Sequence, residues 1–362
     1  FSVLLHEPFS TSTIQSLHFH NNRTWKTKVN HSIYSIGFKS RLTSIIEKGV
    51  RMPRFALAVL LILVTVFPLQ AQTTQRKDES PVIRQKTQVV TLNVSVVDRE
   101  NRPITGLQSP DFTVFEDKVR QQIEYFTAVD TPVSVGIIFD ASASMEAKMD
   151  KARDALKAFV QTSHPDDDFF LIAFNREARL IADFADGDEV VRKMSTIKPD
   201  GETALYDAVF LGLEKLKEAQ HKRRALIVIT DGQDNCSRYN LHELSKNIKE
   251  CDAVIYCFSI AEVQGGNCGH LCQMYSRRTL EEMAGITGGK AFFPASLADL
   301  ESATTLIALE LRQQYSIGYV STRTDHDGKW RKISLQVAPP KENEATGRKV
   351  IARTKEGYYA IP

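Results

Sequence analysis

Between Val133 and Leu311 the chain alternates short apolar runs with stretches of helical period, and no other feature constrains the fold as strongly. Val133-Ser-Val-Gly-Ile-Ile-Phe139, Phe169-Phe-Leu-Ile-Ala-Phe174, Ala225-Leu-Ile-Val-Ile-Thr230 and Ala253-Val-Ile-Tyr-Cys-Phe-Ser-Ile260 are apolar at nearly every position. A strand with one wet face alternates apolar and polar residues, so runs without alternation read as strands covered on both faces. Between them, Met145, Met149, Ala152, Leu156, Phe159 and Val160 share one helical face, as do Leu205, Ala208, Val209, Leu213, Leu216 and Ala219. Leu297, Leu300, Ile307 and Leu311 mark a closing helix, Gly289–Phe293 a short last strand, and Arg179–Phe184 an edge strand. The alternation predicts the α/β class, with a doubly wound, mostly parallel sheet carrying helices on both faces. Ligands on such sheets sit outside the carboxyl ends of the strands.

The flanks have a different rhythm. Val89–Val97 alternates with period two, and Asp111–Phe115 and Gln121–Phe126 follow as short strands across turn residues. After the last helix, Tyr315–Val320, Trp330–Val337, Lys349–Arg353 and Gly357–Ala360 again read as β. Neither flank has enough strands to stand alone, so residues 87–130 and 313–362 are expected to pack together as a small β-sandwich. The α/β core, residues 131–312, is then an insertion between them.

The first methionine is Met52, followed by Arg54, an apolar run from Phe55 to Phe67, Pro68 and the small residue Ala71. This is the layout of a secretory signal peptide over residues 52–71. This run of 13 residues would span only about 20 Å as a helix, short of a ~30 Å hydrocarbon core, so no stable transmembrane segment is expected after processing. Residues 1–51 are expected to be an upstream tract outside the native protein, and the polar residues 72–86 a linker. The protein is expected to be exported, to the periplasm or the cell exterior. Of 46 basic and 44 acidic residues, seven and two fall before residue 52, which leaves a net charge of −3 after it. No basic field for nucleic acid is present.

Export permits disulfides, and all five cysteines (Cys236, Cys251, Cys257, Cys268, Cys272) fall in one stretch. A loop-stapling disulfide is the expected use, with at least one thiol left over because the count is odd. Cys257 also fits as a small buried apolar residue of its strand. Cys268-Gly-His270-Leu-Cys272 gathers three potential metal ligands, but matches no standard zinc spacing.

Three segments at predicted strand ends or helix starts carry the chemistry: Asp140-Ala-Ser142-Ala-Ser144, Gly201-Glu-Thr203-Ala-Leu-Tyr-Asp207 and Thr230-Asp231-Gly232. Each alone has a bland reading as a turn or a helix cap. Together they offer two carboxylates and three hydroxyls, an all-oxygen set with few full charges. That set suits a hard cation, Mg²⁺ above all, and supplies fewer than six oxygens, leaving a position for a carboxylate from another molecule.

Asp-x-Ser-x-Ser, a distant Thr and a later Asp in Thr-Asp-Gly resemble the metal-ion-dependent adhesion site of von Willebrand factor type A domains, over about residues 130–310. The resemblance implies a Rossmann-like core in which Ser142, Ser144 and Thr203 bind the metal through hydroxyls. Asp140 and Asp231 would bind it directly or through water. The whole chain is similar to the secreted acidobacterial von Willebrand factor A-related proteins. It departs from many type A domains at Glu202, where Gly-Gly-Thr is common; a glutamate facing the ion would favour Ca²⁺ or Mn²⁺, one facing solvent would not.

The expected function is metal-dependent protein binding or adhesion, with a protein or peptide ligand offering Asp or Glu to the cation. Loops Gln233–Asn240 and Glu262–Tyr275, with Arg238, Tyr239, Gln273 and Tyr275, are expected to set specificity. A metal-dependent hydrolase or phosphoryl-transfer enzyme is the alternative, and a structural scaffold a third. The enzyme reading is weak. Ser142 stands where aspartyl-phosphate enzymes carry a second Asp. No Gly-x-Ser-x-Gly elbow exists, and Gly285-Ile-Thr-Gly-Gly-Lys290 lacks the first glycine and final hydroxyl of a phosphate loop.

Overall fold

The computed structural model describes residues 89–128, 130–231, 233–260, 270–338 and 349–360. The expected upstream tract, signal peptide and linker lie outside these residues. In chain order the elements are β1 (Val89–Val97), β2 (Phe112–Glu116), β3 (Val119–Gln121), β4 (Ile123–Thr127), β5 (Val133–Asp140), α1 (Met149–Thr162), β6 (Asp168–Phe174) and β7 (Ala178–Ala185). Next come α2 (Gly187–Met194), α3 (Leu205–Leu216), β8 (Arg223–Thr230), α4 (Leu241–Glu250), β9 (Val254–Ser259), α5 (His270–Ile286), β10 (Lys290–Phe292) and α6 (Leu297–Arg312). The chain closes with β11 (Tyr315–Val320), β12 (Trp330–Val337), β13 (Ile351–Arg353) and β14 (Gly357–Tyr359). Among the described residues no helix is long and apolar enough to cross a membrane.

The central sheet has the order β10-β9-β8-β5-β6-β7. Its pairings are parallel except β6 with β7, so the predicted doubly wound sheet is observed, edge strand included. All eight residues of β5 are buried, which is why its sequence shows no alternation. Its side chains still divide. Val133, Val135, Ile137 and Phe139 join the core under α1, α2 and α6, whereas Ile138 joins the core under α3, α4 and α5. Gly136 leaves room on the second face for Phe170 and Leu226: a Cβ there would lie 2.3 Å from Phe170 Cζ and 2.6 Å from Leu226 Cδ1. Gly136→Ala is therefore expected to cost about 1–3 kcal/mol through overpacking. A denaturant midpoint equal to wild type would contradict this packing.

The flanking strands form two four-stranded sheets, β13-β1-β11-β4 and β14-β12-β2-β3. Leu92, Val94, Phe112, Val114, Tyr315, Ile317, Tyr319 and Ile333 fill one core between them, so strands from both ends of the chain build the predicted sandwich. β4 and β11, which lead into and out of the α/β core, pair antiparallel with Thr127 opposite Ser316. Gln121–Phe126 is not the single strand expected from sequence. It divides into β3 and β4, in different sheets, because Gln121 is held by Thr322: Thr322 N–H donates to Gln121 Oε1 at 3.0 Å, and Gln121 Nε2 to Thr322 Oγ1 at 3.1 Å.

Two buried charged clusters tie the parts together. Glu116, 1% exposed, accepts hydrogen bonds from Tyr319 Oη (2.8 Å), Tyr358 Oη (2.9 Å), Ser321 Oγ (2.6 Å) and the guanidinium of buried Arg331 (3.3 Å). Burial, with Glu116 beside it, pushes the Tyr358 phenol up to about 12, so the ring stays a donor. On α6, Glu310 accepts from Tyr256 Oη of β9 at 2.6 Å and from the Arg353 guanidinium of β13. One carboxylate thus joins central sheet, last helix and sandwich.

Three helices went unread in the sequence. α2 is capped by Asp186, whose side chain accepts from Glu189 N–H, and α4 by an Asn240/Glu243 capping box, so both carried a legible start signal. α5 begins at His270 and takes residues 270–275 out of the expected loop 262–275. Among the described cysteines no disulfide forms. Cys236, Cys251 and Cys257 are free thiols. Cys257 is packed in the core under α3, α4 and α5, and burial pushes the Cys251 thiol up to about 11. Cys268 and the Cys272 side chain lie outside what is described.

Candidate metal centre

The crossover from β5 runs through α1 to β6 on one side, and that from β8 through α4 to β9 on the other. β5 and β8 are neighbours, so the chain leaves their carboxyl ends in opposite directions and opens a crevice between them. Asp140 is the last residue of β5, and Asp231 directly follows the last residue of β8. Thr203 lies just ahead of α3, beside the same edge.

Backbone hydrogen bonds lace the three segments into one cradle. Ala143 N–H donates to Gly201 O (3.0 Å), Asp200 N–H to Ala141 O (2.8 Å), and Asn235 N–H to Thr203 O (3.0 Å). Asn235 Oδ1 accepts from Thr203 N–H in return, at 2.8 Å. Gly201 has φ +78°, a left-handed conformation that a glycine adopts without strain.

Asp140 is fully buried. Its Oδ1 accepts from Ser142 N–H at 2.8 Å and its Oδ2 from Thr230 Oγ1 at 2.6 Å. Burial pushes its carboxyl up to about 6, against these hydrogen bonds, and the charge of Asp231 adds to the rise. The hydroxyls of Ser142 and Ser144 are 3.0 Å apart. Ser142 is the N-cap of a 3-10 turn over Ala143–Lys148, yet its side chain makes no cap hydrogen bond, so capping does not account for it. The hydroxyl of Ser142 is buried and Ser144 is exposed, so this pair runs from the interior of the crevice to its mouth.

Two participants were not read from sequence. Thr230 holds Asp140 in place, and its position inside Thr-Asp-Gly was the available signal. Lys148 donates to Asp231 Oδ2 at 3.0 Å, both side chains being 13% exposed. A contact across such a sequence separation leaves no local trace. Glu202 turns to solvent, where Arg176 Nε lies 3.3 Å from its carboxylate. Arg238 and Tyr239, expected to read a partner, are also held to α3, while the Arg238 side chain stays 84% exposed. Asp207 accepts from Arg238 N–H (3.0 Å), Arg238 Nε (2.9 Å) and Tyr239 N–H (3.2 Å), and Tyr239 stacks on Phe210.

Residues 135–233 match the profile of the von Willebrand factor type A domain. This stretch is a von Willebrand factor type A domain. No curated protein matches the sequence. Among solved structures, the chain is similar to a von Willebrand factor type A protein from Catenulispora acidiphila, at 14% identity over 77% of this chain and 75% of that one, TM-score 0.44. It is also similar to the PilB minor pilin from Streptococcus sanguinis, at 14% identity over 51% of this chain and TM-score 0.41, and spans 62% of that pilin's length. The vWF domain of the type V pili tip protein Mfa5 from Porphyromonas gingivalis gives 13% identity over 50% of this chain and 95% of its own, TM-score 0.41. The profile match alone carries the family assignment.

Carboxylate and hydroxyl oxygens are hard donors of the kind that hold Mg²⁺ or Ca²⁺. Such oxygens are what Asp140, Ser142, Ser144, Thr203 and Asp231 present. Among the described residues no group of three or more His, Cys, Asp or Glu side chains comes together.

Proposed function

We propose that Asp140, Ser142, Ser144, Thr203 and Asp231 hold one divalent cation, Mg²⁺ with Mn²⁺ or Ca²⁺ as substitutes, and that the protein is an exported adhesion module rather than an enzyme. The observation that carries this reading is a buried carboxylate at the sheet's switch point, with two capping-free hydroxyls 3.0 Å apart beside it. The bound cation supplies an open coordination position for an Asp or Glu carboxylate of a partner protein. The chain's own part is to orient. Thr230 and Ser142 N–H fix both oxygens of Asp140, and the Thr203–Asn235 exchange fixes the middle segment. Lys148 neutralises Asp231 until a stronger cation competes for it.

Calorimetric titration of Mg²⁺ and Mn²⁺ into the full chain and into Thr203→Ala tests this reading. One saturable site in wild type, weakened at least tenfold by the substitution, is expected. Wild type that binds neither ion would end the proposal. A Ser144→Ala variant that loses metal-dependent partner capture at unchanged melting temperature supports adhesion; loss of melting temperature instead supports a purely structural ion.

A further inference from the structure

A second concavity lies at the other end of the strands. A cleft of about 1200 Å³ is lined by the start of β8, the end of α4, and the outer face of the sandwich sheet that contains β1. Measured along β8 at ~3.3 Å per residue, it is roughly 23 Å from the candidate metal centre.

One wall is cationic. Lys222 just ahead of β8, Arg224 within it, and Lys246 and Lys249 of α4 line it against Glu250 and Asp252. Asp252 is already paired with Lys355 at 3.0 Å. The ammonium groups of Lys222 and Lys246 are exposed and meet no side-chain partner among the described residues. The facing wall is a β surface. Thr91 and Asn93 of β1 stand in register with Gly318 and Ser316 of β11, and Gly318 with Tyr125 of β4. Val89 and Tyr125 are 54% and 55% exposed, unusual for large apolar side chains, and both face this cleft. β1 pairs with β11 along Val89–Val94 but with β13 only at Ser95–Val97. Its second edge from Val89 to Val94 therefore meets no strand among the described residues, and an unpaired strand edge is a template for another extended chain.

We infer that this cleft binds an extended acidic peptide of a partner protein. The peptide backbone pairs along the free edge of β1, an apolar side chain covers Val89, and carboxylates meet Lys222 and Lys246. An anionic glycan satisfies the lysines but makes no use of a strand edge, so the peptide fits more of the surface. Six residues of extended chain span about 20 Å, the reach of β1 beyond β13.

The test titrates a fluorescein-labelled hexapeptide of alternating Glu and Val with the full chain in EDTA, so that the metal centre plays no part. Saturable binding is expected, falling steeply with salt, with no binding of the Lys–Val counterpart. Lys222→Glu combined with Lys246→Glu should weaken it at least tenfold while the melting temperature stays at the wild-type value. If that double reversal destabilises the fold, the neutral pair Lys222→Ala and Lys246→Ala should still weaken binding several-fold. Absence of saturable binding overturns the inference. So does affinity unchanged in the charge variants, or a sulfated oligosaccharide that binds as tightly as the peptide. Because no metal is present, none of these results bears on the metal reading.

Discussion

Asp140→Asn should make the metal-free protein more stable at pH 8 and abolish its metal binding. The carboxyl of Asp140 stands at about 6 in the folded chain against 3.8 as the ordinary value, because burial disfavours its charge. A raised folded value means that its contribution to stability is complete below pH 3.8 and is lost as pH climbs through 6. The loss is about 3 kcal/mol at most, two pH units at ~1.36 kcal/mol each. Asparagine carries no charge to desolvate. Its carbonyl can keep the Ser142 N–H, and its amide can donate to the Thr230 hydroxyl once that hydroxyl turns. Thermal melts of both proteins from pH 4 to pH 8 in EDTA read the effect directly. The curves should coincide at the acid end and separate by several degrees at the alkaline end. Variant and wild type that run parallel across the whole range would show that Asp140 is not paying a desolvation cost. A divalent cation should raise the melting temperature of wild type and leave the variant where it was, since the ion offsets the very charge that the substitution removes.

The second large effect is expected far from that site. Glu116→Leu removes the acceptor shared by Tyr319, Tyr358 and Ser321 and takes from the Arg331 guanidinium, whose side chain is 2% exposed, its buried carboxylate partner, leaving it the Arg323 and Asp325 carbonyls and Asp327 at 3.8 Å. Breaking a buried pair from one side costs about 3–5 kcal/mol, a large share of the 5–15 kcal/mol that holds a typical domain. Arg331→Met alone should be milder, because Glu116 would keep three hydroxyl donors. Combining the two substitutions should recover part of the loss, and urea midpoints of the four proteins give the coupling. A Glu116→Leu protein within 1 kcal/mol of wild type would mean that the cluster contributes shape and no net stability.

The contrast between these sites explains what could be read from the chain before its structure. Wherever a residue's environment is set by near neighbours, the pattern was legible. Val133–Phe139 announced a doubly covered strand because both faces are buried along its whole length. Asp140, Ser142 and Ser144 came as one spaced motif because a strand end and the turn after it are contiguous. Environments made by distant partners left no such mark. Lys148 meets Asp231, Glu116 meets Arg331, and Tyr256 meets Glu310 only after the sheets assemble. Glu310, three residues after Ile307 and one before Leu311, looked like an ordinary polar position on the closing helix and is 2% exposed. The missed helices α2 and α4 are a different failure. Asp186 with Glu189 and Asn240 with Glu243 stood in the sequence as start signals, but each helix is short and offers few buried apolar positions to confirm it.

The pairing of Thr127 with Ser316 has a consequence for how the molecule is assembled. Seen from β4 and β11, everything between them is the connecting loop of a hairpin, and that loop happens to be a complete α/β domain. Closing a loop costs entropy that grows only with the logarithm of its length, so an insertion of this size is thermodynamically tolerable once it folds on itself. β4 lies at the edge of its sheet and β11 beside it, so their pairing holds the two ends of the inserted domain together and acts as a seal at its base. The carboxylate of Glu310, reaching Tyr256 on one side and Arg353 on the other, closes that seal from within.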